Sequence, residues 1–316
     1  MQQIISLFKH AGGFSLLKRM IKSKVFIYSI LHLLINGVSR KSLELLRHGI
    51  DLKINNKLKK KYGYILNDIN LDQQIDKPTS KTIWYCWLQG IDNAPDLVKK
   101  CYQSICENFN ESKIVLLTEN NIHKYVKLPC YIWDKYQNGV ITQTHFSDIL
   151  RIALLYEHGG TWIDATVYIS PTCKIKNYMI SSRFFIFQNL KPGSDGSVLN
   201  VSSWFITASK GNFLVYAIRQ LLYEYWKREN ELIDYFLLHH FIIIVSDHFS
   251  SLWDMIPKYP NSIPHIFLLS LFKEYNKENY DRILAMTPIH KLSYKFTEEQ
   301  TFKKNTYYEY FINSEI

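Results

Sequence analysis

Several features that define other classes of protein are scarce or missing in this 316-residue sequence. The five cysteines are odd in number, form no CxxC pair and do not cluster with histidine. They indicate reduced side chains in a cytoplasmic protein rather than a disulfide framework or a zinc site. Glycine and proline number only 12 and 9, and the chain has no internal repeat, which excludes fibrous, disordered and solenoid proteins. With 47% apolar residues, the chain can bury a sizeable core.

The excess of positive charge is confined to one end of the chain. Residues 1–64 contain 13 Lys and Arg but only Glu44 and Asp51 as acidic residues, whereas the rest of the chain is nearly neutral. A local excess of this kind favours a polyanionic partner, either nucleic acid or an anionic membrane surface. The basic residues alternate with Leu and Ile rather than with stacking aromatics, and no nucleic-acid-binding motif is present. We therefore predict no nucleic-acid partner.

One apolar segment, Val25 to Val38, lies within this basic region, with lysine and arginine residues on both sides. As a helix it would extend about 21 Å, which is too short to span a bilayer. We therefore predict that residues 1–64 bind an anionic membrane surface and hold the protein peripherally at the inner, cytoplasmic face of the cell membrane. A helix packed on the following domain and a cleaved signal peptide remain open as alternatives.

The rest of the chain alternates strand and helix patterns. A polar stretch, Asn67 to Lys81, separates a basic helical N-terminal region (residues 1–66) from a domain that spans residues 80–316. Thr82 to Leu88 and Lys113 to Leu117 have the composition of strands, with a helical pattern between them. This order predicts an α/β fold in which helices flank a sheet. Ligands of such sheets bind beyond the carboxyl ends of the strands.

A helix, a glycine pair and a strand follow one another in the middle of the chain. Phe146 to His158 has helical periodicity, Gly159 and Gly160 supply a helix stop, and Thr161 to Ile169 has the composition of a single strand. A carboxylate in such an apolar strand needs a cation, an ion pair or hydrogen bonds. Asp164 is therefore either a ligand-binding residue or a strand-end Asp that accepts backbone hydrogen bonds.

Asp148 and Arg151 stand three residues apart on the predicted helix and so lie on the same side of it. Such a pair is often an ordinary surface ion pair worth roughly a few tenths of a kcal/mol. Alternatively, the arginine is suited to bidentate recognition of a nucleotide or of sugar hydroxyl groups. The spacing alone leaves both interpretations open.

Four short motifs lie close together in this part of the chain: Ser147 to Arg151, Leu154 to Tyr156, Gly159-Gly160 and Trp162 to Asp164. Together they resemble the centre of the bacterial capsular polysaccharide synthesis glycosyltransferases, which are relatives of glycosyltransferase family 32. Weaker matches extend the resemblance over about residues 80–295. The resemblance implies a GT-A fold, which is a Rossmann-type mixed sheet flanked by helices, and an enzyme that uses a nucleotide-sugar donor.

The resemblance also implies roles for individual residues. Trp87 and Gln89 would lie near the nucleotide, while Asp148 and Arg151 would hold the donor sugar. The predicted catalytic group consists of Asp148, Arg151 and Asp164. His290 and Lys291, late in the chain, are further predicted contacts of the donor diphosphate.

Asp164 would occupy the first position of the Asp-x-Asp motif that binds a metal ion in these transferases. The third position of the motif, where relatives carry Asp, is Thr166 in this sequence. A divalent cation, Mn or Mg, is expected on the resemblance, with Asp164 and His290 as its predicted ligands. Alternatively, basic side chains such as Lys291 take over part of the role of the ion. Two neighbouring histidines are other predicted ligands: His239 and His240.

The function that the resemblance implies is transfer of a hexose to a growing glycan. The expected donor is UDP-galactose or UDP-glucose, and the expected acceptor is a lipid-linked oligosaccharide in capsular or exopolysaccharide synthesis. Retention of the anomeric configuration is expected from the related families. Two alternatives remain open: a protein glycosyltransferase of the same fold, and a non-catalytic partner in glycan assembly.

Overall fold

The structure is a computed structural model of the chain. It describes residues 20–314 except 22, 71–78, 173, 176 and 191–197. The first part of the predicted basic region and half of the predicted polar boundary therefore lie outside the described residues.

The described strands form two sheets. In chain order they are β1 (Thr82–Cys86), β2 (Lys113–Leu117), β3 (Gly160–Ile163), β4 (Val167–Ile169), β5 (Phe184–Gln188), β6 (Val201–Ala208) and β7 (Ile289–Lys291). The larger sheet has the order β2-β1-β3-β6-β5, with β1 parallel to β2 and β3, and with β6 antiparallel to β3 and β5. The smaller sheet joins β4 and β7 antiparallel. The mixed sheet is as predicted, and its parallel strands β1 and β3 end at the same edge.

Helices cover both faces of the larger sheet, so the predicted α/β fold is confirmed. The α-helices of the described residues are α1 (Phe26–Asn36), α2 (Arg40–Tyr62), α3 (Asp96–Asn108), α4 (Cys130–Gln137), α5 (Gln143–His158), α6 (Asn177–Ser181), α7 (Phe213–Arg228), α8 (Leu237–His248), α9 (Ser250–Asp254), α10 (Ile266–Ser270), α11 (Lys277–Met286), α12 (Glu298–Phe302) and α13 (Tyr307–Asn313). Side-chain alternation sends Trp84 and Trp162 into a core with α2, α5, α7 and α8. It sends Tyr85 and Ile163 into a second core with α3 and the smaller sheet.

The predicted single strand from Thr161 to Ile169 is wrong. Strand β3 ends at Ile163, and the chain then turns, because the Val167 N–H donates to the carbonyl oxygen of Asp164 at 3.0 Å. Strand β4 leaves the larger sheet to pair with β7. The apolar composition suits both halves, so it does not reveal the turn. Asp164 and Thr166 consequently lie in a loop between two sheets and not on one face of a strand.

Helix α2 belongs to the main core. Its Leu58 and Tyr62 are buried, and the Tyr62 ring lies 6.0 Å from that of Phe241 on α8. Helix α2 lies before residue 66 but shares the core of the domain that follows. The division of the chain after residue 66 stays a prediction.

Helix α1 lies outside α2 and packs on it. It falls within the apolar segment from Val25 to Val38, as the composition predicts. Ser39 then starts α2, where its hydroxyl accepts a hydrogen bond from the Ser42 N–H at 3.2 Å. Within the part of the chain that the structure describes, no helix combines the length and the apolar character that a bilayer span requires.

Candidate active site

The glycine pair between α5 and β3 fixes the geometry of the site. Gly159 and Gly160 have φ values of 69° and 101°, in the left-handed region. A Cβ atom on Gly160 would lie 2.3 Å from the backbone oxygen of Thr82, and one on Gly159 would lie 2.6 Å from a backbone nitrogen. Glycine alone suits both this conformation and this space. The tight turn lays α5 against the sheet, so that Arg151 on the helix faces Asp164 just after β3.

Arg151 bridges two carboxylates. One guanidinium nitrogen lies 2.9 Å from Oδ1 of Asp148 on the same helix, and another donates to Oδ1 of Asp164 at 2.8 Å. Trp162 donates to the same oxygen through Nε1 at 2.9 Å, and the guanidinium lies over its ring at 4.9 Å from the centroid. The Arg151 side chain is only 4% exposed. The pair of Asp148 and Arg151 is therefore part of a buried bridge and not a surface ion pair.

Lys291 approaches Asp164 from the other side. Lys291 lies on β7 and pairs with Val167 of β4. This pairing places the Lys291 side chain beside the loop that contains Asp164. Its Nζ lies 3.3 Å from Oδ2 of Asp164 and donates to the hydroxyl of Thr166. Burial on its own raises the pKa of Asp164, but the charges of Arg151 and Lys291 outweigh it and hold the pKa below the ordinary value of 3.8. Four residues make up what we call the strand-end cluster: Asp148, Arg151, Asp164 and Lys291.

His290, the neighbour of Lys291, points the other way. Side chains alternate along a strand, and the buried ring of His290 lies 5.7 Å from Phe267 and 6.1 Å from Tyr168. Burial lowers the pKa of His290 to about 4, so the ring is neutral at pH 7. The structure therefore brings Lys291 to Asp164 and places His290 among aromatic side chains. The predicted metal ligands Asp164 and His290 do not come together in this fold.

Trp87 and Gln89 follow β1 at the same edge of the sheet, since β1 and β3 run parallel. Gln89 is exposed and donates to the side-chain oxygen of Gln143 at 3.2 Å. The Trp87 ring lies 5.5 Å from the ring of Tyr294, and its Nε1 is buried without a hydrogen-bond partner among the described residues. Both residues thus lie where nucleotides bind in α/β sheets. Their contact with a nucleotide stays a prediction.

Sequence reasoning missed further side chains beside the cluster. The Nδ1 atom of His145 lies 3.7 Å from Oδ2 of Asp148, and the His145 ring lies 5.6 Å from that of Tyr235. Tyr235 is exposed, yet burial of its hydroxyl and the negative charge of Asp148 raise its pKa. The sequence signal for this side of the site is the run Asp234-Tyr235-Phe236, one of the weaker matches to the family that the sequence resembles.

His239 and His240 have different surroundings. Burial lowers the pKa of His239 to about 4, while the nearby carboxylate of Asp148 acts in the opposite direction. His240 is fully buried and forms a group with Asp51 and Asp234 in which all ligand atoms lie within 4.8 Å of one another. Over the described ranges, no other group of three His, Cys, Asp or Glu side chains comes so close together. Because Asp51 is on α2, the group ties that helix to α8.

A divalent cation at Asp164 would meet competing positive charges. One carboxylate oxygen already accepts from Arg151 and Trp162, and the other faces the ammonium group of Lys291. The hydroxyl of Thr166 also accepts from Lys291. Mn and Mg ions prefer several oxygen ligands, and two cations occupy the space around these oxygens. In this arrangement the residues around Asp164 do not fit a divalent cation.

The fold and the cluster define an α/β protein with a charged site at the carboxyl ends of its parallel strands. Residues 40–311 match the family described as capsular polysaccharide synthesis protein, and the chain belongs to this family. The family that the motifs predict is thereby confirmed.

Individual relatives are more distant. A curated relative, glycosyltransferase afumC of Aspergillus fumigatus (strain CBS 144.89 / FGSC A1163 / CEA10), is 24% identical over 109 residues. That match covers 32% of this chain and only 28% of the relative. Among solved structures, the PaToxG glycosyltransferase is similar at 14% identity with a TM-score of 0.38, covering 83% of this chain and 96% of that one.

Proposed function

We propose that the protein is a glycosyltransferase that moves a hexose from a nucleotide sugar to a glycan acceptor in capsular or exopolysaccharide synthesis. Membership of the capsular polysaccharide synthesis family supports a role in glycan assembly. The observation that carries the proposal is the ionised Asp164, held between Arg151 and Lys291 at the edge where α/β sheets bind nucleotides. A relative that bears the name glycosyltransferase agrees with this assignment.

The charges of the cluster suit the departure of a nucleoside diphosphate. In the reaction the bond between the anomeric carbon and the diphosphate oxygen breaks, the acceptor hydroxyl oxygen bonds to that carbon, and the hydroxyl proton passes to the departing diphosphate. Negative charge develops on the diphosphate, and fixed cations stabilise it. Lys291 is 18% exposed and Arg151 only 4%. Lys291 is therefore the cation that contacts the diphosphate, while Arg151 holds Asp148 and Asp164 in place.

Positive charge from Lys291 stands in for part of the divalent cation that the resemblance implies. The ammonium group lies 3.3 Å from Asp164 and is bound to Thr166, the residue that replaces the second acidic position. We expect a wild-type enzyme that retains most of its activity in EDTA. If Mn or Mg instead raises the transferase activity more than tenfold, a metal site forms only when the donor is bound.

The proposal also covers the donor, the acceptor and the stereochemistry of the reaction. The donor is UDP-galactose or UDP-glucose, the acceptor is a lipid-linked oligosaccharide, and the anomeric configuration is retained. Both carboxylates of the cluster are ion-paired with Arg151, and the pKa of Asp164 is lowered. A general base works best with a pKa near the working pH, so Asp164 does not suit the base that an inverting enzyme needs. Proton NMR of the product anomer tests this point.

The direct test is a donor-hydrolysis and transfer assay with UDP-glucose and UDP-galactose. We expect turnover of at least one donor by the wild type, and a loss of about 100-fold or more for Asp164→Asn because the substitution removes the charge that orders both cations. Asp254→Asn, on the exposed surface of α9, is the matched control and should keep full activity. If Asp164→Asn matches the wild type, or if no donor binds, the non-catalytic alternative replaces this proposal.

A further inference from the structure

Helix α1 exposes one continuous apolar face. We call it the outer stripe, and its members are 42–79% exposed: Ile27, Ile30, Leu31, Leu34, Ile35 and Val38. The spacing of three and four residues places the first five along one side of the helix, and Val38 follows just beyond its end. A single exposed Ile or Leu is ordinary, but a contiguous apolar patch on a protein surface marks an interaction site.

The opposite face of α1 packs against α2 and carries polar side chains beside the half-buried Phe26 and Leu33. Ser29 is buried and donates to the carbonyl oxygen of Val25 at 2.8 Å. The Nε2 atom of His32 lies 2.9 Å from the carbonyl oxygen of Ser42 on α2. A surface helix ordinarily turns its apolar face to the protein and its polar face to water. In α1 most of the apolar side chains are instead exposed, and the contact of His32 with Ser42 holds the helix in this orientation.

The ring of Tyr28 fits against Gly49 of α2 and fixes the approach of the two helices. A Cβ atom on Gly49 would lie only 1.8 Å from the Tyr28 hydroxyl oxygen. The Nζ atom of Lys53 lies over the same ring at 5.1 Å from its centroid. The exposure of the outer stripe therefore follows from specific contacts on the other side of the helix.

Positive charge borders the outer stripe at both ends. Lys24 precedes α1, and Arg40 and Lys41 follow it, all three exposed. The acidic residues of this hairpin are only Glu44 and Asp51, and Asp51 is buried, so its exposed charged side chains are mostly basic. An apolar face flanked by cations matches the chemistry of an anionic lipid surface, which offers acyl chains next to phosphate groups.

We propose that the outer stripe is the surface through which the protein binds an anionic bilayer, with α1 lying in the plane of the membrane. The eleven residues of α1 extend about 16 Å, half of the roughly 30 Å of a hydrocarbon core, so the helix is suited to lie along the interface. A second copy of the chain fits the outer stripe less well than a bilayer does. In a symmetric pair the Lys24 end of one stripe would meet the Arg40 and Lys41 end of the other. The proposal does not depend on the transferase activity.

Vesicle sedimentation of the full-length protein tests the proposal. The vesicles are pure phosphatidylcholine in one arm and three parts phosphatidylcholine to one part phosphatidylglycerol in the other. The variant Ile27→Ser/Leu34→Ser/Ile35→Ser removes the three most exposed side chains of the stripe, at 72%, 77% and 79%. The matched control Met255→Ser/Leu269→Ser/Phe302→Ser removes three apolar side chains of equal exposure elsewhere, at 73%, 74% and 74%.

We expect the wild type and the control to bind the anionic vesicles, and the stripe variant to bind at least about tenfold more weakly because its apolar face is lost. Binding to the neutral vesicles should be weak for all three. Lys24→Gln/Arg40→Gln/Lys41→Gln should reduce the preference for anionic lipid and its sensitivity to salt. Thermal unfolding confirms that each variant is folded.

Three outcomes would overturn the proposal. The first is equal binding by the wild type and the stripe variant. The second is a wild-type dimer that the stripe variant converts to a monomer, which would assign the stripe to a second copy of the chain. The third is binding that is lost on removal of residues 1–19 but kept in the stripe variant. Because binding is measured without a nucleotide sugar, none of these outcomes bears on the proposed reaction.

Discussion

The strand-end cluster and the outer stripe differ in which side chains are buried and which are exposed. In the cluster, charged side chains are drawn into the protein, with Arg151 only 4% exposed. In the stripe, apolar side chains are turned out of it, with Ile35 79% exposed. Each arrangement is fixed by its other partners: the cluster by Trp162 and the smaller sheet, the stripe by the polar contacts between α1 and α2.

The difference indicates two kinds of ligand. A buried charge is costly unless it is paired, so the cluster is held in one geometry and suits a small charged ligand that needs accurate placement. Exposed apolar side chains need no such pairing, so the stripe suits a broad, fluid surface. Departures from ordinary burial are expected at functional sites, and substitutions in the two regions should have different effects.

Loss of one charge in the cluster should affect stability far more than loss of three apolar side chains in the stripe. Arg151→Met leaves Asp148 and Asp164 without their shared partner, and we expect it to lower the free energy of unfolding by about 3–5 kcal/mol. The triple Ser variant of the stripe should change it by less than about 1 kcal/mol, since exposed side chains lose little on truncation. Urea unfolding of both variants measures the two effects. Similar values would mean that the bridge is solvated or that the stripe is buried.

Two glycines with positive φ sharpen the same contrast. In Gly160→Ala the new methyl group meets the Thr82 backbone oxygen, so we expect destabilisation of about 2–4 kcal/mol. Gly37, at the end of α1, has a φ of 70° and open space around it. Gly37→Ala should therefore cost only the backbone strain of about 1–2 kcal/mol. Thermal unfolding of the two variants checks the order, and an equal loss would contradict the tight junction between α5 and β3.

The acid sensitivity of the protein should depend on buried histidines such as His290 and not on the stripe. Because the pKa of His290 is about 4 in the folded state against 6.5 ordinarily, the unfolded chain binds more protons between these values. Stability then falls as the pH drops from 6.5 towards 4, by about 1.4 kcal/mol per pH unit for this residue. His290→Phe should reduce that slope, whereas the stripe variant should keep it. Unfolding free energies measured at pH 7, 6 and 5 give the slopes, and an unchanged slope in His290→Phe would place the ring in solvent.

The sequence predicts the α/β class and the strands β1 and β2 with the helix between them, because short apolar runs and helical spacing are local signals. It does not predict the turn at Asp164, since the residues on both sides have the same strand composition. Nor does it show which face of α1 is exposed. That face depends on contacts with α2, such as the fit of Tyr28 against Gly49.

For the site, the motif residues were predictable and their arrangement was not. Asp148, Arg151 and Asp164 lie close in the chain, and the structure brings them together as a buried bridge. The choice between His290 and Lys291 depends on the register of β4 with β7, which pairs residues more than 100 positions apart. Local sequence patterns do not predict the register between two such distant strands.

The most direct test compares these two neighbours on β7. Transfer activity is measured as kcat/KM for the better UDP-sugar with Lys291→Met and His290→Phe, and with the exposed control Lys277→Met. If Lys291 supplies the cation at the donor diphosphate, Lys291→Met should lose about 100-fold, whereas His290→Phe and Lys277→Met should stay within about threefold of the wild type. A larger loss in folded His290→Phe than in Lys291→Met would contradict the placement of Lys291 at the centre of the site.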